Sequence, residues 1–178
     1  KEKNLDKNTV IIYAADNGYY MGNRGFAGKW THYEESLRVP LIIYDPRMPT
    51  KATVKKSDKT ALNIDIPATI LDLAGVFVPQ HYQGKSLLPI LKGEKIETWR
   101  DNFLIEHRME HDKIPKYVGI HGQRFVYANY YEQSPPYEYL HDLQEDPNQL
   151  KNLKNNPDYK VVLEKMRSKS ENLESSIK

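Results

Sequence analysis

Cysteine is absent from the 178 residues. Within this chain that excludes a disulfide framework, a thiolate metal site and a cysteine nucleophile, while leaving the redox compartment open. Long apolar runs are missing as well. None exceeds six residues, whereas a membrane-spanning helix needs about 20, so no membrane span is expected. Neither sign of charge dominates: 26 Lys and Arg stand against 24 Asp and Glu, a formal charge of +2. No global field therefore points to nucleic acid or to a membrane surface. The opening "KEKNLDKN" lacks both an initiator Met and the apolar centre of a signal peptide. It reads as a helix tail entering a strand, and we expect the chain to be cut from something longer. What remains, with 39% hydrophobic residues, suffices for one sizeable core or for a core with a small appended layer.

Val10 to Ala15 and Val39 to Tyr44 are apolar without alternation, the pattern of strands covered on both faces as in a parallel sheet. The stretch 45–60 is turn and loop chemistry with a short polar strand at Thr53 to Lys55. Asp65 reads as an N-cap, Pro67 sits in the first turn, Ile66, Ile70, Leu71, Leu73 and Ala74 recur at helical spacing, and Gly75 is the stop. Beyond residue 100 the texture changes. Phe103 to His107, Val118 to His121, Arg124 to Tyr131 and Tyr137 to Asp142 are aromatic and β-branched segments between turn signals, as in antiparallel strands. A closing helix is expected to place Tyr159, Val162, Leu163 and Met166 on one face. The expected division is 1–100, part of an α/β domain, and 101–178, an antiparallel sheet with a terminal helix.

The chemistry concentrates in "DNGYYMGNRGFAGKW", residues 16–30, directly after the first apolar run. Asp16 and Asn17 would point to opposite faces in continued strand geometry and can share a ligand only if the chain turns; Gly18, free to adopt positive φ, is expected to supply that turn. Carboxylate and amide oxygens suit a hard cation such as Ca²⁺ or Mg²⁺ rather than zinc. Two donors fill only part of its shell. Asp, Asn and Gly also dominate ordinary turns, so the residues alone admit both readings. Position favours a site, because open α/β sheets bind ligands beyond the carboxyl ends of their strands. Lys29 beside a cation calls for an anion between them.

The stretch "VIIYAADNGYYMGNRGFAGKWTHYEESLRVPLIIYDP" (10–46) resembles the C-terminal signature of the sulfatases of the alkaline-phosphatase-like superfamily. "IDIPATILDLAGVFVP" with "YQGKSLLPIL", and "GQRFVYANYY" through "EYLHDLQEDPNQLKNL", are similar to later parts of that family in the same order. The resemblance implies the C-terminal portion of an α/β sandwich with a small antiparallel sheet and a C-terminal helix. It implies hydrolysis of a sulfate ester, of a carbohydrate or another sulfated small molecule, in a periplasmic or extracellular setting. It further implies that Asp16 and Asn17 are two ligands of one Ca²⁺, with the others in the missing N-terminal half, and that Lys29 is the catalytic lysine contacting the sulfate. Arg24 lies where many relatives carry a His; a substrate contact and a solvated Arg both remain open. The family's nucleophile is a formylglycine made from Cys or Ser in a Cys/Ser-x-Pro-x-Arg motif. Here there is no Cys, and Ser134-Pro135-Pro136 is followed by Tyr137-Glu138. The nucleophile is therefore expected outside this chain, and the chain alone is expected to be inactive.

His32, three positions after Lys29, is a candidate for the pocket rim, against the alternative that it only packs. His107 and His111 have i, i+4 spacing, which would suit a metal only on a helix. The strand before them and Pro115 after them argue for a loop near the substrate entrance instead. Two alternatives stay open beside the sulfatase reading. One is a related phosphodiester or phosphonate hydrolase, disfavoured because such relatives commonly carry Asp-His where this chain has Asp-Asn. The other is a non-catalytic binding module with an incomplete site.

Overall fold

A computed structural model describes residues 2–48 and 55–177. The polar strand expected at Thr53 to Lys55 lies outside them but for Lys55. In chain order the elements are β1 (Ile11–Ala14), β2 (Tyr20–Met21), β3 (Ala27–Gly28), α1 (Glu34–Leu37), β4 (Leu41–Tyr44), α2 (Asp65–Leu73), α3 (Leu88–Leu91), β5 (Asn102–His107), β6 (Tyr117–Gly122), β7 (Phe125–Tyr130), β8 (Tyr137–Asp142) and α4 (Lys160–Ile177). They form two compact units, one of residues 1–16 with 39–100 and the other of 17–38 with 101–178. The glycine loop and α1 thus belong with the C-terminal sheet.

In the first unit β1 pairs with β4, and the pairing is antiparallel rather than parallel, with Ile11 opposite Tyr44 and Tyr13 opposite Ile42. Burial alternates along both strands. The unbroken apolar runs pointed to cover on both faces. Here Ile11, Tyr13, Ile42 and Tyr44 share one face, since alternate residues of paired strands point the same way, and each is more than half exposed. The helix α2 begins at Asp65 itself, after Ile64 in helical conformation, so Asp65 is a first-turn residue and not the N-cap. Its carboxylate is fully buried. It accepts from the backbone of Leu62 and Lys85, both at 2.8 Å, and pairs with Arg100. A buried carboxylate needs that much compensation. Gly75, at φ 70°, ends the helix as its sequence position indicates.

The second unit is built on an antiparallel meander, β5-β6-β7-β8. Each strand separates its side chains between two cores. Val126, Ala128 and Tyr130 of β7 join Ile105 and Tyr117 on one side. Tyr127 joins Ile120 and Leu140 on the other, beneath Leu163 and Met166 of α4. Tyr159 and Val162 pack at the edge of that second core, so the expected apolar helix face is the one that is buried. No described helix is long and apolar enough to cross a membrane.

Candidate active site

Within the second unit, Asn17, Lys29, Trp30, Ser36, Leu37 and His107 line a shallow cleft of about 170 Å³. Gly18 positions its floor, but by a different property from the one expected. Its φ is not positive. A Cβ there would lie 2.1 Å from the Glu35 carbonyl oxygen, and the Gly18 amide donates to the Ser36 carbonyl at 2.9 Å. Close approach of two backbones, not a left-handed turn, is what requires glycine.

Past Gly18 the loop turns through Gly22, Gly25 and Gly28, all at positive φ, and delivers Lys29 and Trp30. Ser36 in α1 fixes their exit: its buried hydroxyl accepts from the amides of Trp30 (2.9 Å) and Thr31 (3.2 Å). The Asn17 side-chain amide donates to the Gly18 carbonyl at 2.8 Å, which leaves Oδ1 as its presented atom. On that oxygen sits the Lys29 ammonium, 2.5 Å away. Thus Oδ1 already holds a cation, and an uncharged oxygen donor of this kind fits a hard ion such as Ca²⁺. Asp16 ends the other unit's first stretch; its side chain is exposed and its carbonyl accepts from Asn63. Among the described residues no group of three His, Cys, Asp or Glu could hold a metal.

The remaining candidates separate. Arg24 is engaged away from the cleft: its guanidinium pairs with Glu35 at 3.1 Å, donates to the carbonyls of Asn148 and Gln149, and lies 4.0 Å from the Tyr33 ring centre. His32, a candidate for the rim against the alternative that it packs, is interior and 1% exposed. Its Nδ1 meets the Tyr130 hydroxyl at 2.9 Å and its Nε2 meets His141 Nε2 at 3.1 Å, while His141 Nδ1 faces the Lys151 carbonyl. The carbonyl can only accept, so His141 carries its proton on Nδ1. His32 then carries its own on Nε2, and Tyr130 donates to His32 Nδ1. Burial above all, then His141 and Arg24, push the His32 pKa well down. His107 ends β5 and faces the cleft, and the exposed His111 meets Trp30 edge-on with ring centres 5.5 Å apart.

Three positioning residues carry no sequence signal of their own. Trp30 follows the lysine, but nothing local marks its φ of 82°. Gln149 reaches back to accept from the Glu34 amide at 2.8 Å. His121 of β6 bonds the Glu34 carboxylate at 2.6 Å. Burial would raise the Glu34 pKa, and the His121 hydrogen bond and charge outweigh it and hold the group low. These links tie α1, and so Ser36, to the sheet.

Residues 22–176 match the family model described as N-sulphoglucosamine sulphohydrolase, C-terminal. Over 157 residues the chain is 33% identical to an N-acetylglucosamine-6-O-sulfatase of Bacteroides thetaiotaomicron, covering 85% of this chain and 27% of that protein. It is 39% identical over 105 residues to the N-acetylglucosamine-6-sulfatase of Homo sapiens, covering 58% of this chain and 18% of that protein. Among solved structures, one determined with its substrate D-glucosamine-2-N,6-O-disulfate superposes with a TM-score of 0.81 at 30% identity, over 96% of this chain and 34% of that one. The phosphonate monoester hydrolase of Agrobacterium radiobacter superposes at 0.83 with 26% identity, over 98% of this chain and 36% of that one. The chain spans about a third or less of the length of these relatives.

Proposed function

The chain belongs to the family of the N-sulphoglucosamine sulphohydrolase C-terminal region, among the sulfatases, and on that premise we propose that it works as the C-terminal part of a sulfuric ester hydrolase acting on a sulfated carbohydrate. Its fold is the alkaline-phosphatase-like α/β kind. The observation that carries the proposal is the Lys29 ammonium presented beside Asn17 Oδ1 in an open cleft. In this reading Asn17 Oδ1 would be one ligand of a Ca²⁺, which when bound would offset charge on the ester oxygens.

Lys29 then exchanges Asn17 Oδ1 for a sulfuryl oxygen. As a compact point charge it stabilises negative charge growing on the oxygens as the S–O bond breaks. Ser36 and Gly18 keep its backbone fixed, so little reorganisation is needed. Arg24, held by Glu35 and two carbonyls, anchors the loop to the segment 148–149 rather than touching substrate. The nucleophile, a formylglycine in this reading, comes from outside the chain.

A second reading, hydrolysis of a phosphonate monoester, is favoured by the superposition on such an enzyme. One assay separates the two. The full-length protein is given N-acetylglucosamine 6-sulfate and 4-nitrophenyl phenylphosphonate in parallel, and the proposal expects the larger kcat/KM on the sulfate ester. Faster cleavage of the phosphonate would transfer the site to the second reading.

A further inference from the structure

His107 pairs in register with Tyr117 and is 7% exposed. Both of its ring nitrogens are buried without a hydrogen-bond partner, and among the described residues no other buried side chain has two such atoms on one group. Leaving a buried polar atom unpaired costs about 1–3 kcal/mol. The ring lines the cleft of Asn17 and Lys29. Trp30 lies against it, ring centres 5.8 Å apart and planes 25° from parallel. Trp30 is itself held at φ 82°, in the left-handed region that a bulky residue adopts only under constraint. An unpaired imidazole, and over it the ring of a residue with a constrained backbone next in sequence to the candidate catalytic lysine, thus line one cleft.

We propose that His107 is a specificity-determining residue for the sugar: once the Trp30 ring turns off it, its imidazole pairs with a hydroxyl or amide of the carbohydrate whose sulfate Lys29 holds. This rests on the sulfated-carbohydrate reading and extends it. The chemistry of the two groups divides the ligand. An ammonium selects the anion. A neutral imidazole offers one donor and one acceptor, which matches a neutral polar group and makes a poor anion ligand. Burial, then His111, lower the His107 pKa, with Lys116 in the same direction and Glu132 opposing, which favours the neutral ring. Turning Trp30 also opens the cleft towards His111, its edge-on neighbour.

The test uses the full-length protein with ¹⁵N-labelled histidine rings and two probes, N-acetylglucosamine 6-sulfate and inorganic sulfate. The sugar sulfate is expected to shift both His107 ring nitrogens and to give a change in tryptophan fluorescence that Trp30→Phe abolishes; inorganic sulfate is expected to do neither. In kinetics, His107→Ala should cut the preference for N-acetylglucosamine 6-sulfate over 4-nitrophenyl sulfate roughly 10-fold, mostly through KM, with His107→Gln recovering most of it. Bound sugar sulfate that leaves the His107 rings unmoved, or an equal loss on both esters, overturns the proposal. A wild-type protein that hydrolyses neither ester yet shows the ring shifts would retire the sulfatase reading and leave the sugar contact standing. One that hydrolyses 4-nitrophenyl sulfate while the sugar leaves His107 unmoved would do the reverse.

Discussion

The pair His32 and His141 sets what acid does to this protein. Both rings are buried to 1% exposure, and their shared hydrogen bond needs one nitrogen to remain unprotonated. Protonating either puts two donors face to face or a charge among Tyr33, Tyr130 and Tyr139 rings. Burial is the main cause of the lowered pKa at both positions; at His141 the Lys151 carbonyl and Asp146 work against it. A folded-state pKa below the unfolded value means that the folded chain binds fewer protons. Its stability is then full above the ordinary histidine pKa of about 6.5 and falls as pH drops below it. Urea melts of the full-length protein should show the midpoint falling between pH 7.5 and 5.5, before the carboxylates titrate. His141→Phe should flatten that slope; a midpoint independent of pH over this window would contradict a histidine pair held neutral by burial.

At the scale of elements, the meander is held by close backbone contact as much as by side chains. Gly119 of β6 lies where a Cβ would come within 2.1 Å of the Tyr127 carbonyl oxygen on the neighbouring strand. Gly119→Ala should therefore destabilise the sheet by about 2–4 kcal/mol, in the range of severe core substitutions. Amide exchange of β6 and β7 measures it, and unchanged protection would show that the strands can part there. The four strands and the closing helix were legible from composition, because aromatic and β-branched segments between turns have few other solutions. Helix α2 was legible through Pro67 and Gly75. The β1/β4 direction was not, since an apolar run carries no information on strand orientation. In the cleft, the meeting of Asn17 with Lys29 agrees with the expectation drawn from "DNG" and "GKW". The Trp30–His107 stack could not, because it joins residues 77 positions apart, nor could the clamp of Arg24 on segment 148–149. The placement of His32 turned on His141, over a hundred residues away, so its spacing from Lys29 carried no information.

For the molecule as a whole, the first unit carries an exposed apolar face of Ile11, Tyr13, Ile42 and Tyr44. Roughly 400 Å² of apolar surface left in water forfeits on the order of 10 kcal/mol, comparable to the stability of a domain. The isolated 178-residue chain should self-associate through that face at low micromolar concentration in sedimentation, and Ile42→Lys should return it towards monomer. A wild-type monomer that binds no apolar dye would mean that the face is stable as it stands. The central claim, that Lys29 serves the breaking ester bond, is tested most directly by kcat on N-acetylglucosamine 6-sulfate for the full-length protein and its Lys29→Ala variant. The account predicts a fall of roughly 100-fold or more with the melting temperature unchanged. Lys29→Arg should not rescue it, because a planar fork cannot occupy the same point. A Lys29→Ala enzyme with unaltered kcat and kcat/KM would contradict the account and remove Lys29 from the site.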